Sequence, residues 1–261
     1  MLLEIISLKL SGIDITYILR DTQYETSLAF VSLKEDGNRD FAFYRKNSAD
    51  LQYNKEDIPQ NVLDDCGMIH FCSVDLVESP MKEAHRRLIE MAREKNLLVC
   101  FDPNLRLSLW NSADTLRKTV LEFLPLADIV KISDEELEFI TGKTNIDDAL
   151  PLLLQKHTKC VVYTMGKDGA NVYTKQFTAI SKGNAVEVVD TTGAGDSFIG
   201  AFEYQLLRDS VDDIETVSQQ TFEEYLEFAN AYAAYTTTKQ GALSAMADAK
   251  TFETWYKKIH I

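Results

Sequence analysis

No paired glycine, no excess of positive charge, few cysteines and no long apolar run: each of these absences in the sequence closes a class of function. The 11 glycines never stand side by side, and no G-x-G-x-x-G follows an early strand, which argues against a dinucleotide-binding turn. Lys and Arg number 27 against 41 Asp and Glu, for a net charge of −14. Such a surface repels a phosphate backbone, so neither nucleic acid nor an anionic membrane is expected as a partner. No stretch is long and apolar enough to span a bilayer. The run from Met1 to Leu10 carries charge in its middle and has no small-residue cleavage site, so it does not read as a signal peptide. The 4 cysteines, Cys66, Cys72, Cys100 and Cys160, show no C-x-x-C spacing, and three lie inside apolar runs. They read as reduced core residues of a cytoplasmic chain. The 4 histidines show no metal-ligand spacing, and no Ser-His-Asp order suggests a hydrolase.

What is present is the composition of a globular chain: 261 residues, 45% hydrophobic and 26% charged, enough for one large α/β domain with a sizeable core. A short helix opens the chain. Ser27–Leu33 and Asp40–Arg45 then read as the arms of a β-hairpin joined by Glu35-Asp36-Gly37-Asn38-Arg39. From residue 66 the rhythm becomes buried strand and amphipathic helix in alternation. Strands are expected at Gly67–Ser73, Leu97–Phe101, Ile129–Ile132, Cys160–Thr164 and Val186–Val189. Helices are expected at Ser79–Lys95, Ser112–Leu124, from Ser133 onward, Asp196–Arg208, Phe222–Thr238 and Ala249–Lys258. That order implies right-handed crossovers and a mostly parallel sheet covered on both faces, with ligands at the carboxyl ends of the strands.

The strongest chemical signal is Val188-Val189-Asp190-Thr191-Thr192-Gly193-Ala194-Gly195-Asp196-Ser197-Phe198. A strand running through glycines into a helix puts backbone N–H groups at the positive end of a helix dipole, an anion cradle. Asp196 at its edge suits proton acceptance from a hydroxyl attacking a phosphoryl group. Read from the residues alone, the same segment also fits a plain glycine turn with Asp196 as N-cap. Arg106, after Phe101-Asp102-Pro103-Asn104-Leu105, is either a fork for an oxyanion or a surface loop arginine. Ser133 and Glu136 have capping-box spacing. Gly142-Lys143-Thr144 is not a P-loop, because Leu137 stands where its first glycine belongs, and it reads as a helix C-cap.

The segment Asp190 to Phe202 resembles the C-terminal signature of the ribokinase-like, phosphofructokinase B type carbohydrate kinases, and Phe101 to Arg106 resembles the strand-end motif of the fructokinase-like branch. The resemblance implies a three-layer α/β/α sandwich with a mostly parallel central sheet. It places a small β-hairpin lid over residues 26–46, within a single kinase domain spanning 1–261. It implies transfer of the γ-phosphoryl group of ATP to a sugar hydroxyl, first of all fructose to fructose 6-phosphate. Alternatives are 2-keto-3-deoxygluconate, ribose or a nucleoside as acceptor, or a nucleotide-binding pseudokinase without turnover. Asp196 is then the catalytic base, Gly193, Ala194 and Gly195 the anion hole, and Arg106 a support for the transferring group. Asn104, Phe43 and Arg45, with Arg106 and Asp196, face the sugar. Lys131, Ser133, Thr164, Gly166, Gly169, Thr191, Gly193, Gly195, Asn230, Gly241 and Ala242 fall in the nucleotide region. Glu136 corresponds to the glutamate that organises Mg²⁺ through water, and Asp190 and Thr192 to a monovalent cation site for K⁺. Partners implied are the sugar, ATP and a second copy through the lid. The family's opening strand and Gly-Gly-x-x-Asn motif have no counterpart here, so the expectation is a chain lacking that N-terminal segment.

Overall fold

In the computed structural model, residues 2–33 and 39–259 are described. Of the expected hairpin loop Glu35–Arg39, residues 35–38 lie outside the described residues, and Arg39 begins the second arm. Helix α1 (Leu2–Leu10) precedes a two-stranded antiparallel sheet of β1 (Leu28–Leu33) and β2 (Arg39–Tyr44). The main sheet follows: β3 (Met68–Cys72), helix α2 (Pro80–Glu94), β4 (Leu98–Asp102), α3 (Ala113–Phe123) and β5 (Ile129–Ser133). Then come α4 (Asp134–Thr141), α5 (Ile146–Leu153), β6 (Cys160–Thr164), β7 (Ala170–Tyr173) and β8 (Thr178–Ser181). Helices α6 (Ala194–Arg208), α7 (Gln219–Thr237) and α8 (Ala249–Ile259) close the chain. The six strands run in the order β3-β4-β5-β6-β7-β8, parallel from β3 to β6 and antiparallel from there to β8.

Alternation along the strands explains the three layers. Val99, Phe101, Val130, Ile132 and Val161 enter one apolar cluster with α2, α3 and α4. Their neighbours Leu98, Cys100, Ile129, Cys160 and Val162 enter a second, with α6 and α7. Side chains on successive strand residues point to opposite faces, and here both faces are covered, so β4 is buried from end to end. Each such side chain contributes about 1.5–3 kcal/mol by leaving water. Local chemistry sets the helix ends. Ser79 and Pro80 open α2, Ser112 accepts from the Thr115 amide, and Gly142, in the left-handed region at φ 71°, closes α4.

Two expectations are corrected. Val186–Val189 forms no strand: Val188 and Val189 are 57% and 62% exposed, and the amides of Val189 and Asp190 donate to the Thr237 carbonyl at the end of α7. The apolar pair stays in solvent because its backbone is satisfied by a helix terminus rather than a ladder. Cys100 and Cys160 are buried as expected, whereas Cys66 is exposed in the turn before β3; all four thiols are free. Among the described residues no helix is long and apolar enough to cross a membrane.

Candidate active site at the strand ends

Parallel strands bring their carboxyl ends to one edge, and the chemistry gathers there. Cys100 pairs with Ile129 and Phe101 with Val130, so the next step in register sets Asp102 beside Lys131. The Lys131 ammonium lies 3.1 Å from Asp102 Oδ2, with the two side chains only 8% and 3% exposed. Burial pushes the Asp102 carboxyl up to about 6, against the opposing pull of Lys131. Burial alone would lower the Lys131 pKa, but the charges of Asp102 and Glu136 outweigh it and hold the ammonium above its usual value. A buried cation is thereby kept charged at the sheet edge. A Cβ placed on Gly195 would stand 3.5 Å from Lys131 Nζ, so this charge lies against the glycine turn that opens α6.

That turn is built by dihedrals and by one carboxylate. Gly193, at φ 76°, takes the N-cap position of α6, and the amide of Ser197 donates to its carbonyl. Asp190 Oδ1 accepts from the Thr192 amide at 2.8 Å and Oδ2 from the Gly241 amide at 2.9 Å. The glycine turn and the 241–242 loop are thus stitched together; a Cβ on Gly193 would approach Ala242 to 3.3 Å. Asp196 is the third residue of α6 rather than its N-cap, and it is exposed. Its carboxylate therefore stays open to solvent while its backbone belongs to the first helical turn, whose amides lack intrahelical acceptors.

The loop after β4 reaches the same point. Asn104, at φ 44°, directs its amide Nδ2 to Asp196 Oδ1 at 3.4 Å, and its backbone N–H donates to Asp102 Oδ1 at 3.1 Å. Glu136 fixes that loop from the other side: Oε1 accepts from the Leu105 amide at 2.9 Å, and Oε2 accepts from the Ser133 amide and hydroxyl at 3.0 and 3.1 Å. Ser133 and Glu136 do form the capping box that opens α4. Arg106 is half-buried and donates to the Leu105 carbonyl at 2.9 Å. Ser133 pairs with Thr164 across β5 and β6, and Gly166 and Gly169 make the turn into β7, where a Cβ on Gly169 would strike the Ser181 carbonyl at 2.2 Å. A cavity of about 590 Å³ opens beside Asp196, lined by aromatic side chains such as Tyr204, Phe228, Tyr232 and Phe252 and by Arg208 and Glu253.

Two expected site residues, Arg45 and Asn230, are engaged by other partners. The Arg45 guanidinium, expected on the sugar, bonds to Asp50 at 2.5 Å and to Asp75 and the Val74 carbonyl, so it pins the base of the hairpin to the end of β3. Phe43 is half-buried on β2, opposite Ala29. The Asn230 amide, expected in a nucleotide slot, is buried and donates to Ser181 and Lys182, tying α7 to β8. Asp102 is the participant that motif reading passed over. Its signal was present: the acid that ends β4 and the base within β5 stand among apolar neighbours, and the β4–β5 register sets them side by side.

Comparison with known proteins identifies the family and the fold. The sequence profile of the pfkB family carbohydrate kinases matches residues 6–249. Fructokinase-2 of Solanum habrochaites is 40% identical over 244 residues, covering 93% of this chain and 73% of that protein. Probable fructokinase-4 of Arabidopsis thaliana is 40% identical over 241 residues, 92% of this chain and 73% of its own length. Among solved structures, fructokinase with bound ATP from Xylella fastidiosa superposes with a TM-score of 0.90 at 27% identity, over 98% of this chain and 80% of that one. Fructokinase from Vibrio cholerae bound to fructose, ADP and calcium ion gives 0.85 at 33% identity, over 97% and 80%. A matched profile over nearly the whole chain, a shared fold and an aspartate on a glycine turn at the sheet edge carry the assignment: the chain belongs to the pfkB family of carbohydrate kinases.

Proposed function

We propose that the protein transfers the γ-phosphoryl group of ATP to a hydroxyl of fructose, giving fructose 6-phosphate. The observation that carries this is the convergence of Asp196, Asn104 and the Gly193–Gly195 turn at the ends of β4 and β5, above the buried Lys131 charge. Phosphoryl transfer asks a protein for positioning and charge more than for covalent chemistry. Asp196 accepts the proton of the attacking hydroxyl, and Asn104 holds the carboxylate in place. The amides of the 193–195 turn and the Lys131 ammonium face the charge that develops on the transferring group, and Arg106 adds a fork on the loop side. Ser133, Thr164, Gly166, Gly169, Thr191, Gly241 and Ala242 line the path assigned to the nucleotide, with Asn230 holding its wall from behind.

Glu136 fits Mg²⁺ only at one remove. Both its oxygens already accept protein N–H groups, so it suits holding the ion's water rather than the ion itself. When bound, Mg²⁺ would neutralise charge on the nucleotide phosphates. Asp190 and Thr192 are our proposal for the monovalent cation, K⁺. The hairpin is the lid, Phe43 its sugar-facing side chain, and Arg45 its anchor. Leu28, Phe30 and Tyr44 leave an apolar face on that lid, 51%, 57% and 67% exposed, which supports a homodimer through it. Four free thiols and ATP as donor support a cytoplasmic enzyme. The test is coupled ADP release with fructose, ribose, glucose, adenosine and 2-keto-3-deoxygluconate. Fructose giving the highest kcat/KM supports the reading, and a different preferred acceptor or no acceptor-dependent release overturns it.

A further inference from the structure

We propose that His70, Cys100 and Glu203 form a binding site for one thiophilic divalent cation, with Zn²⁺ the best match, on the α6 face of the sheet. His70 and Cys100 are cross-strand partners in the β3–β4 register, so both side chains leave the same face. Glu203 comes down onto them from α6, with Oε1 2.5 Å from His70 Nδ1. The three potential ligand atoms all lie within 4.8 Å of one another. Three elements that are distant in sequence thus deliver one nitrogen, one sulfur and one oxygen to a single point, which is why no histidine spacing disclosed it.

The donor set selects the ion. A tetrahedral Zn²⁺ with bonds of about 2.0–2.3 Å to N, O and S needs its ligand atoms roughly 3.3–3.8 Å apart. The His70–Glu203 pair opens from 2.5 Å to reach that spacing, and Cys100 Sγ lies within 4.8 Å of both ligand atoms. Imidazole with thiolate favours Zn²⁺ or Co²⁺ and disfavours Mg²⁺, which takes oxygen ligands, so this site is chemically separate from any site for the nucleotide's metal. Access exists, because the His70 side chain is about a third exposed, and three protein ligands leave a fourth position for water. Without metal, the trio is satisfied by sharing protons. Burial drives the Cys100 thiol well above its ordinary range, with Glu203 adding to the effect, so the metal must displace the thiol proton and the proton between His70 and Glu203. Glu203 follows Asp196 by seven residues, two helical turns or about 10 Å along α6, so occupancy would clamp the helix that carries the catalytic base to β3 and β4.

The experiment is a Co²⁺ titration of the metal-free full chain, read by the thiolate-to-cobalt charge-transfer absorption. Expected are saturation at one equivalent, displacement by Zn²⁺, indifference to excess Mg²⁺, and loss of the band in Cys100→Ser. His70→Gln changes a partly exposed position and keeps the fold, and it is expected to weaken Co²⁺ at least about 10-fold. Cys66→Ser is expected to bind as the parent does. Absence of the band in the folded parent, a band that survives Cys100→Ser, or unchanged affinity in His70→Gln would overturn the proposal.

Discussion

The two sheets of this protein are built on opposite economies. In the six-stranded sheet Val99, Cys100, Phe101, Ile129, Val130 and Val161 are wholly buried, and stability comes from apolar surface taken from water on both faces. In the two-stranded sheet Leu28, Phe30 and Tyr44 stay more than half exposed, with Phe30 and Tyr44 meeting edge to face at 5.5 Å. A lone hairpin of this kind is marginal in water, and Arg45 ties its base to Asp50, Asp75 and the Val74 carbonyl. One chain thus sets a buried platform for Asp196 beside an exposed hairpin, the segment proposed above as a lid that excludes water from transfer.

That contrast can be broken in order of effect. Phe101→Ala strikes the platform where Phe101 stacks on Phe71 at 4.7 Å; a loss of about 3–5 kcal/mol is expected in denaturant unfolding, and a loss below about 1 kcal/mol would contradict a core centred there. Titration comes next. Asp102 binds its proton up to about pH 6 when folded but only to about pH 3.9 when unfolded, so the folded state holds the extra proton in that window and stability falls as pH rises through it. Relative to Asp102→Asn, the parent is expected to lose roughly 3 kcal/mol between those two pH values, and a flat difference would place the carboxyl in a wetter environment. Arg45→Ala then tests the lid. Asp50 and Asp75, about a third exposed, can turn to water, so the global melt is expected to move little while KM for the sugar rises about 10-fold. Equal losses of fold and activity would make Arg45 part of the platform instead. Smallest of all, Phe30→Ser on the open lid face is expected to change stability by less than about 0.5 kcal/mol, while any lid-mediated dimer weakens in light scattering.

The same contrast separates what the sequence disclosed from what it hid. The platform was legible because its signals are local and periodic: apolar strands of five residues, Ser112 and Ser133 as caps, and glycines at Gly142 and Gly193 where the left-handed region is needed. The motif residues also landed together, Asp196 with Asn104 and Asp190 with Gly241. What stayed hidden depends on pairing between elements. Val188 and Val189 look like a strand until Thr237 takes their backbone. Arg45 and Asn230 look like ligand contacts until Asp50, Asp75, Ser181 and Lys182 occupy them. The Asp102–Lys131 pair and the His70–Cys100–Glu203 trio exist only once register is known.

The most direct test of the account is fructose-dependent ADP release by Asp196→Asn, measured beside its ATP dissociation constant. Loss of turnover by about 10²–10⁴-fold with ATP affinity unchanged is the result predicted for a general base on an intact anion turn. Turnover within a few-fold of the parent would contradict the account and require another group to take the hydroxyl proton.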